Sequence, residues 1–370
     1  MRGRSLGLTA RTGSLLPVFA GVCATIALLT SAAAPTTANP NNINPLPGIN
    51  GTNGLPHLPG PTQAVYQVTG MASPNQTQGL NVLGTDLGIM WDSGHGNLMV
   101  AFGDTAGLGV PNLLAGSIWA WTSNMLFRSR TVNPAGGLVF DSYVPSLIPS
   151  PKIPGIEISR IPTAGISVNG VQYLSMMSVR QWKQDGRWST NFTSLAVSGD
   201  NGQNWVELPA TRRTNVDGYE NFQMSAYVKS DGHVYRFGTP PGRDNPGFVS
   251  RVPEGAIADY DAYEYWDGKR WTRKATAAAP IVGGVGELSV MWNEYLHRFV
   301  MLTTDPWNSV VMRTAPAPQG PWTPPQVLID TRALPTAYAP MIFPYQTGRD
   351  LYYLVTVHSQ YNVLLMRTPL

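Results

Sequence analysis

Two aspartates stand at the ends of two consecutive apolar runs and could together carry out acid–base chemistry. Asp86 precedes the run 89–91, Asp104 follows the run 98–102, and turn-forming residues occupy 92–97. In a strand–turn–strand arrangement both carboxyls would lie at the same end of an antiparallel pair. Paired carboxyls are the groups that cleave glycosides, one protonating the leaving oxygen and one activating water. Asp also caps turns, and the spacing alone leaves that structural alternative open.

Further side chains could complete a sugar-binding site around this pair. Glu287 lies just before the apolar run 290–292, where it could tune a neighbouring carboxyl or bind sugar hydroxyls. A surface or structural carboxylate is the alternative for Glu287. Aromatic faces stack on sugars, and amide groups hydrogen-bond to hydroxyls. The aromatic and amide candidates for substrate binding are Trp121, Asn124, Tyr338 and Asn362. For an aromatic residue in such a fold, a place in the core is the alternative.

The sequence lacks the residues that several other classes of reaction need. The five His, at positions 57, 95, 233, 297 and 358, include no pair at zinc-ligand spacing. The single cysteine, Cys23, lies in a segment that we expect to be removed. The sequence contains neither a phosphate-binding Gly-rich loop with Lys-Ser/Thr nor a Gly-x-Ser-x-Gly elbow. We therefore expect no metal site and no cofactor.

The N-terminal segment 1–34 has the three parts of a secretory signal. A basic start with Arg2 and Arg4 precedes an apolar run over 15–29 and small residues at 32–34. The run is short for a bilayer span, which favours export and cleavage over an uncleaved anchor. Without this segment 22 basic residues balance 22 acidic ones, so no basic face for nucleic acid is indicated. We expect a protein of the cell envelope or the medium, with no membrane span after cleavage.

Two regions of different composition follow the signal. Residues 35–63 are rich in Pro, Asn, Gly and Thr without apolar periodicity, which predicts a disordered spacer. Residues 64–370 carry few charges, frequent Trp, Tyr and Gly, and short β-prone runs between turn signals. This pattern predicts an all-β domain that is too long for one small sandwich. Radial repetition of four-stranded blades suits it better, and we expect a five-bladed β-propeller, with six blades as the alternative.

One local motif supports the propeller. Residues 198–205, Ser-Gly-Asp-Asn-Gly-Gln-Asn-Trp, fit the Asp-box pattern Ser-x-Asp-x-Gly-x-x-Trp. We expect Asp200 to cap backbone amides of a tight turn, Gly202 to adopt a positive φ, and Trp205 to pack between sheets. The motif is typical of blades in sialidase-like and related glycosidases, and its role is structural.

Ten segments along the chain, taken in order, resemble one known family. The similar segments are residues 84–88, 102–105, 124, 188–191, 198–205, 221–224, 234–239, 286–289, 320–322 and 361–363. They look like the actinobacterial domain of unknown function 4185, classed as glycoside hydrolase family 183, the endo-D-arabinanases. The likeness runs from about residue 79 to residue 370, and Phe343 departs from it because His is common at that position in the family.

The resemblance implies a function and a catalytic pair. It implies a five-bladed propeller that cleaves α-linked D-arabinofuranose chains of arabinogalactan and lipoarabinomannan in endo fashion, with anomeric inversion. The family's two catalytic aspartates map onto Asp86 and Asp104, and we expect Asp86 to act as base and Asp104 as acid. The expected partner is arabinan, and the expected state is a monomer.

Two other functions stay open at this point. A carbohydrate-binding propeller without hydrolytic activity is favoured by the abundant aromatics and by Phe343, since a lost polar group there could abolish or redirect activity. A sialidase-like exo-enzyme is suggested by the Asp-box, but it would need an arginine cluster for a carboxylate substrate, and the sequence displays none.

Overall fold

A computed structural model describes residues 55–112, 117–183, 187–345 and 347–370. The predicted signal segment, and the part of the predicted spacer before residue 55, lie outside the described residues. Among the residues that are described, no helix has both the length and the apolar character that a bilayer span requires.

Short antiparallel strands form most of the regular structure. In the described residues they are β1 (Gln63–Gln67), β2 (Gly84–Asp92), β3 (Leu98–Asn112), β4 (Ser117–Thr122), β5 (Met125–Ser129), β6 (Ser142–Val144), β7 (Ser159–Val168), β8 (Val171–Trp182), β9 (Trp188–Ser198), β10 (Val206–Thr214), β11 (Met224–Ser230), β12 (His233–Thr239), β13 (Asn245–Pro253), β14 (Glu264–Trp266), β15 (Trp271–Thr272), β16 (Val282–Val285), β17 (Ser289–Asn293), β18 (Arg298–Thr304), β19 (Val310–Ala315), β20 (Gln326–Ile329), β21 (Ala337–Ile342), β22 (Asp350–Val357) and β23 (Asn362–Pro369). Short 3₁₀ helices occupy Thr77–Leu80, Pro134–Gly136, Tyr219–Phe222, Glu254–Ala256, Tyr260–Ala262 and Ala275–Ala277.

The strands form five sheets arranged as the blades of a β-propeller, which confirms the predicted all-β, five-bladed fold. Blade 1 has the order β2-β3-β5-β6, with β4 also paired to β3, and blade 2 has the order β7-β8-β9-β10. Blade 3 runs from β11 to β15, with β16 paired to β13, and blade 4 runs from β17 to β20. In blade 5 the order is β21-β22-β23-β1, so the first strand is joined to the last one and closes the ring.

Burial follows position within a blade. The second strand of blade 4, β18, is buried at six of its seven positions, because sheets on both sides cover it. The fourth strand of blade 2, β10, is exposed or partly exposed at nearly every position. Apolar runs in the sequence therefore mark the inner strands, and the polar site described below lies among these buried strands.

The Asp-box of blade 2 has the predicted capped turn, positive φ and buried Trp, and it packs against blade 1. Asp200 Oδ1 accepts hydrogen bonds from the amides of Gln203 (3.0 Å) and Asn204 (2.9 Å), and Gly202 has a φ of +77°. The ring of Trp205 is buried, with its centroid 6.4 Å from that of Trp91 on β2. The hydrogen bonds that Asn204 donates are the largest influence on the Asp200 carboxyl and hold its pKa at about 2.

The prediction of a disordered spacer up to residue 63 is wrong for residues 55–63. Leu58 is only 5% exposed and packs in the core shared by blades 4 and 5. The Thr62 hydroxyl donates to the Leu328 carbonyl at 2.9 Å and lies 2.8 Å from the Thr368 hydroxyl. Sequence periodicity does not reveal this segment because its few apolar residues are separated by prolines, and their partners come from distant strands.

Candidate active site

Asp86 and Asp104 face each other across the hairpin β2–β3 of blade 1. The pairing register shifts on each side of Leu87, so that Asp86 alone opposes Gly103 and Asp104. A β-bulge of this kind redirects side chains at a sheet edge. Leu87 has a φ of 71°, a left-handed conformation that bulky residues rarely adopt, and its amide donates to the Thr356 hydroxyl at 2.8 Å. The backbone is therefore strained at the point where it aims Asp86.

Asp86 is held by a neighbouring blade and is half-buried. The Tyr338 hydroxyl donates to Asp86 Oδ2 at 2.8 Å, whereas Asp86 Oδ1 accepts no hydrogen bond from the described residues. Burial raises the pKa of Asp86 to about 7, against the lowering effect of the Tyr338 hydrogen bond. The charge of Glu287 adds to the increase, and that of Arg243 opposes it. This carboxyl can therefore exchange a proton near neutral pH.

Asp104 is held by the blade on the other side. The Ser159 hydroxyl, at the start of β7, donates to Asp104 Oδ1 at 2.5 Å. Burial and then the charge of Asp86 raise the pKa of Asp104 well above its usual range, while Ser159 and Lys152 oppose the increase. Because each carboxyl disfavours ionisation of the other, the pair tends to hold one proton. That is the ionisation state in which one group is an acid and the other a base.

A second pair of charges stands beside the first. Arg243 binds Glu287 through two hydrogen bonds, Nε to Oε2 at 3.0 Å and Nη2 to Oε1 at 2.6 Å. The Arg243 guanidinium also lies 4.7 Å from the centroid of the Tyr338 ring. These contacts link Asp86 to Tyr338, Arg243 and Glu287 across blades 1, 5, 3 and 4.

These groups line one cavity of about 280 Å³ at the end of the propeller where the innermost strands begin. Its wall also contains aromatic, apolar and basic side chains, among them Trp182, Lys183, Arg187, Trp188, Met224, His358 and Tyr361. Burial lowers the pKa of His358, so its imidazole is neutral at neutral pH. Within the described ranges, no three His, Cys, Asp or Glu side chains come together as a metal site. The cavity thus combines two acids with walls that suit a sugar.

The structure brings four of the predicted residues together and leaves three elsewhere. Asp86, Asp104, Glu287 and Tyr338 all line the cavity. The three that do not line it are Trp121, Asn124 and Asn362.

The prediction that Asn124 binds substrate is wrong. Its side chain is fully buried, and Nδ2 donates to the carbonyls of Ile148 (2.7 Å) and Arg160 (2.8 Å). Its Oδ1 accepts from the amides of Leu147 and Ile148. The Asn124 amide group thus uses its hydrogen bonds to hold residues 147–148, in the loop before β7, against Arg160, the residue next to Ser159.

The prediction for Asn362 is wrong for the same reason. The side chain is buried, accepts from the Thr69 hydroxyl at 3.1 Å and donates to the Gln360 carbonyl at 3.1 Å. The preceding residue, Tyr361, lines the cavity in its place.

Trp121 lies near the pair but outside the cavity wall. It pairs with Ala106, two residues beyond Asp104, on the extension formed by β3 and β4. The Lys152 ammonium lies 5.0 Å from the centroid of its ring and donates to its carbonyl. A role for Trp121 in substrate binding stays a prediction.

Phe343 does not alter the cavity. Its side chain is buried in the core, with its ring centroid 5.5 Å from that of Tyr345, and it is not part of the wall. The expectation that this departure removes a polar group from the site is therefore not supported by its position.

Several wall residues escaped sequence reasoning. Lys183, Arg187, Arg243 and His358 lie in loops that join the second and third strands of their blades, as does Tyr361, which belongs to the family-like segment 361–363. The other four residues lie in no motif that the sequence analysis singled out. These residues share a place in the fold, but the sequence reveals it only after each strand has been assigned to a blade.

Sequence comparison with known proteins finds one family and two fungal relatives. The family described as domain of unknown function (DUF4185) matches residues 72–367. Two Aspergillus proteins are each 27% identical to this chain: Notoamide biosynthesis cluster protein J' of Aspergillus versicolor over 306 residues, 74% of this chain and 81% of that protein, and protein J of Aspergillus sp. (strain MF297-2) over 305 residues, 74% and 80%.

Two solved structures are similar to this chain at low sequence identity. A candidate hydrolase from Bacteroides ovatus superposes with a TM-score of 0.54 at 15% identity, covering 78% of this chain and 86% of that chain. A GH43_1 enzyme from Xanthomonas citri gives 0.46 at 15% identity, covering 80% and 92%. The similarity to the Bacteroides ovatus structure concerns the fold alone, whereas the family match spans most of the sequence. The chain belongs to the DUF4185 family.

Proposed function

We propose that the protein is an inverting glycoside hydrolase that cuts within arabinan chains at α-D-arabinofuranosyl linkages. The observation that carries this proposal is the convergence of Asp86 and Asp104, both with raised pKa values, across one bulged hairpin in an axial cavity. The choice of arabinan rests on the family resemblance, and the chemistry rests on the site.

The two acids take complementary roles in this mechanism. Asp104 donates its proton to the glycosidic oxygen as the bond to the anomeric carbon breaks. Asp86 takes a proton from the water that attacks the same carbon, and direct attack by water inverts the configuration. The reaction leaves Asp86 protonated and Asp104 ionised, and proton exchange with solvent restores the pair. The negative charge of Asp86 helps to keep Asp104 protonated before the reaction.

The ion pair of Arg243 with Glu287 argues against a sialidase-like site. A sialidase-like enzyme needs free arginines for a substrate carboxylate, but the Arg243 guanidinium already holds both oxygens of Glu287. Trp182 and Tyr361 offer aromatic surface in the wall. The non-hydrolytic alternative loses the support of Phe343, which lies in the core, and rests on the abundant aromatics alone.

The direct test is hydrolysis of a soluble D-arabinan by the purified protein. We expect new reducing ends and a mixture of oligosaccharides, with the product anomer read by proton NMR at early times. Asp86→Asn and Asp104→Asn should each lower the rate by about a hundredfold or more. Asp200→Asn, in the Asp-box, is the matched control and should keep the rate. Full activity in Asp86→Asn or in Asp104→Asn would remove that residue from the mechanism. A product that keeps the anomeric configuration of the substrate would exclude direct attack by water.

The signal-like segment 1–34 supports a location outside the cytoplasmic membrane, where cell-wall arabinan would be reached. Fractionation of expressing cells tests this part of the proposal, because recovery of the intact precursor in the cytoplasm would contradict it.

A further inference from the structure

In three of the five blades, the loop that joins the second and third strands lies in the cavity wall. The loop between the second and third strands supplies Lys183 and Arg187 in blade 2, Arg243 in blade 3, and His358 and Tyr361 in blade 5. These loops form the upper wall of the cavity. The corresponding loop of blade 4 belongs to the same ring by topology, although it does not line the cavity itself.

The blade 4 loop starts at the level of the catalytic groups. It covers residues 305–309, and the β17–β18 register, continued by two residues, sets Thr304 opposite Glu287. The Thr304 hydroxyl also lies 3.5 Å from the position that a Cβ on Gly286 would occupy. Beyond Thr304 the chain leaves the sheet on the same face as the cavity.

The loop presents a tryptophan to solvent in a fixed position. Trp307 is 74% exposed, the highest value among the large apolar side chains in the described residues. Asp305 Oδ1 accepts from the amides of Trp307 (3.0 Å) and Ser309 (2.8 Å), and the Pro306 ring lies 3.5 Å from where a Cβ on Gly284 would be. Ordered backbone around an unburied indole indicates a ring available to a ligand, since the fold itself gains little from it.

We propose that Trp307 is an outer sugar-binding platform that stacks on the C–H face of a neutral furanose unit outside the cavity. This inference rests on the proposed function, because it assigns the ring to the same polymer that enters the cavity. The Cα of Trp307 lies within about 10 Å of that of Thr304. A chain cut between Asp86 and Asp104 could therefore reach the ring with a unit beyond those in the cavity.

The surroundings of Trp307 fit a sugar better than a protein partner. The other exposed large apolar side chains of blade 4 are Tyr295, in the turn at the far end, and Val327, on the outermost strand. Asp305 and Asn308 flank the indole with polar groups instead. A single ring among polar groups matches a furanose, whereas protein docking surfaces are contiguous apolar patches.

The test compares Trp307→Ala with Trp307→Phe and with Tyr295→Ala, an exposed aromatic on the opposite face of the same blade. With D-arabinan as substrate we expect Trp307→Ala to raise KM by up to about tenfold, the effect of losing one aromatic contact. The ratio of kcat/KM for the polymer to kcat/KM for a short D-arabino-oligosaccharide should fall by a similar factor. Trp307→Phe should recover much of the ratio, and Tyr295→Ala should leave it unchanged.

A binding measurement tests the Trp307 platform independently of the proposed hydrolysis. Calorimetric titration of Asp86→Asn with D-arabinan should give an affinity that the added Trp307→Ala change weakens by the same factor. If the protein binds arabinan through Trp307 but produces no reducing ends, the platform stands and the hydrolase fails. Equal affinity with and without the indole, or absence of any arabinan binding, overturns the platform.

Discussion

At the scale of single residues, the site depends on a glycine as well as on its acids. A Cβ on Gly103 would lie 2.4 Å from Asp86 Oδ1 and 3.0 Å from Leu87 Cδ1. The φ of Gly103 is not positive, so the requirement is for space and not for backbone freedom. The bulge brings the Asp86 carboxyl against the main chain next to Asp104, and only the absence of a side chain permits that approach.

Gly103→Ala should therefore displace the Asp86 carboxyl and lower kcat by about tenfold or more, the cost of a small misplacement in a catalytic site. Gly255→Ala is the matched control, because a Cβ at Gly255 meets nothing within 4 Å. Steady-state kinetics and thermal unfolding of both variants provide the measurement. An unchanged kcat in Gly103→Ala would show that the position of Asp86 tolerates this shift.

The raised pKa of Asp86 predicts a stability effect with a definite sign. The folded carboxyl titrates at about 7, whereas the unfolded one titrates near its ordinary value of 3.8. Between these values the folded state binds more protons, so stability declines as the pH rises from about 4 to about 7. Asp86→Asn should raise the Tm at pH 8, and the gain should shrink as the pH approaches about 4.

Asp200→Asn should show the opposite sign in the same experiment. The pKa of Asp200 is lowered to about 2 by hydrogen bonds to its ionised form, so that carboxyl stabilises the fold above its unfolded pKa. Thermal unfolding at both pH values compares the two variants. A lower Tm for Asp86→Asn at pH 8 would contradict the assignment of Asp86 as a carboxyl that is costly to ionise.

At the scale of elements, each acid of blade 1 is held by a different neighbouring blade. Tyr338 on β21 of blade 5 binds Asp86, and Ser159 on β7 of blade 2 binds Asp104. Both hydroxyls donate to the carboxyl and lower its pKa. The positions of the proposed acid and base are thus set by the junctions on both sides of blade 1.

Removal of each hydroxyl should move a different limb of the pH–rate profile. Tyr338→Phe should raise the pKa of Asp86, the proposed base, so the acidic limb should shift to higher pH. Ser159→Ala should raise the pKa of Asp104, the proposed acid, so the basic limb should shift to higher pH. Profiles of kcat/KM for the two variants check this. If the limbs exchange between the variants, the acid and base roles are the reverse of those proposed.

At the scale of the whole molecule, the ring is closed by the first strand of the described chain. Strand β1 pairs with β23, from Gln63 opposite Arg367 to Gln67 opposite Leu364. The residues before it add the buried Leu58 to the core of blades 4 and 5. Because blade 5 also carries Tyr338, this closure stabilises the wall of the candidate active site.

Leu58→Ala should lower the free energy of unfolding by about 2–5 kcal/mol, the usual cost of emptying a buried leucine site. Leu80→Ala, at a leucine that is exposed, is the control and should change it little. Denaturant unfolding of the two variants gives the comparison. If Leu58→Ala and Leu80→Ala had equal free energies of unfolding, the segment before β1 would contribute nothing to the stability of the folded domain.

The sequence by itself determined the features that depend on near neighbours. Alternating apolar runs and turn residues predicted the strands, the Asp-box predicted the capped turn at Asp200, and one hairpin predicted the convergence of Asp86 with Asp104. These features are local, since hydrogen bonds across a turn or between successive strands join residues a short way apart in the chain. The order of motifs also sufficed to identify the family.

Only the tertiary structure decided the rest, because it depends on contacts between distant residues. Tyr338 reaches Asp86 across 252 positions, and Arg243 reaches Glu287 across 44. A buried amide such as Asn124 binds backbone groups as readily as sugar hydroxyls, and no local pattern separates the two uses. The order of blades around the axis sets which side chains meet, and the bulge at Leu87 sets where Asp86 points.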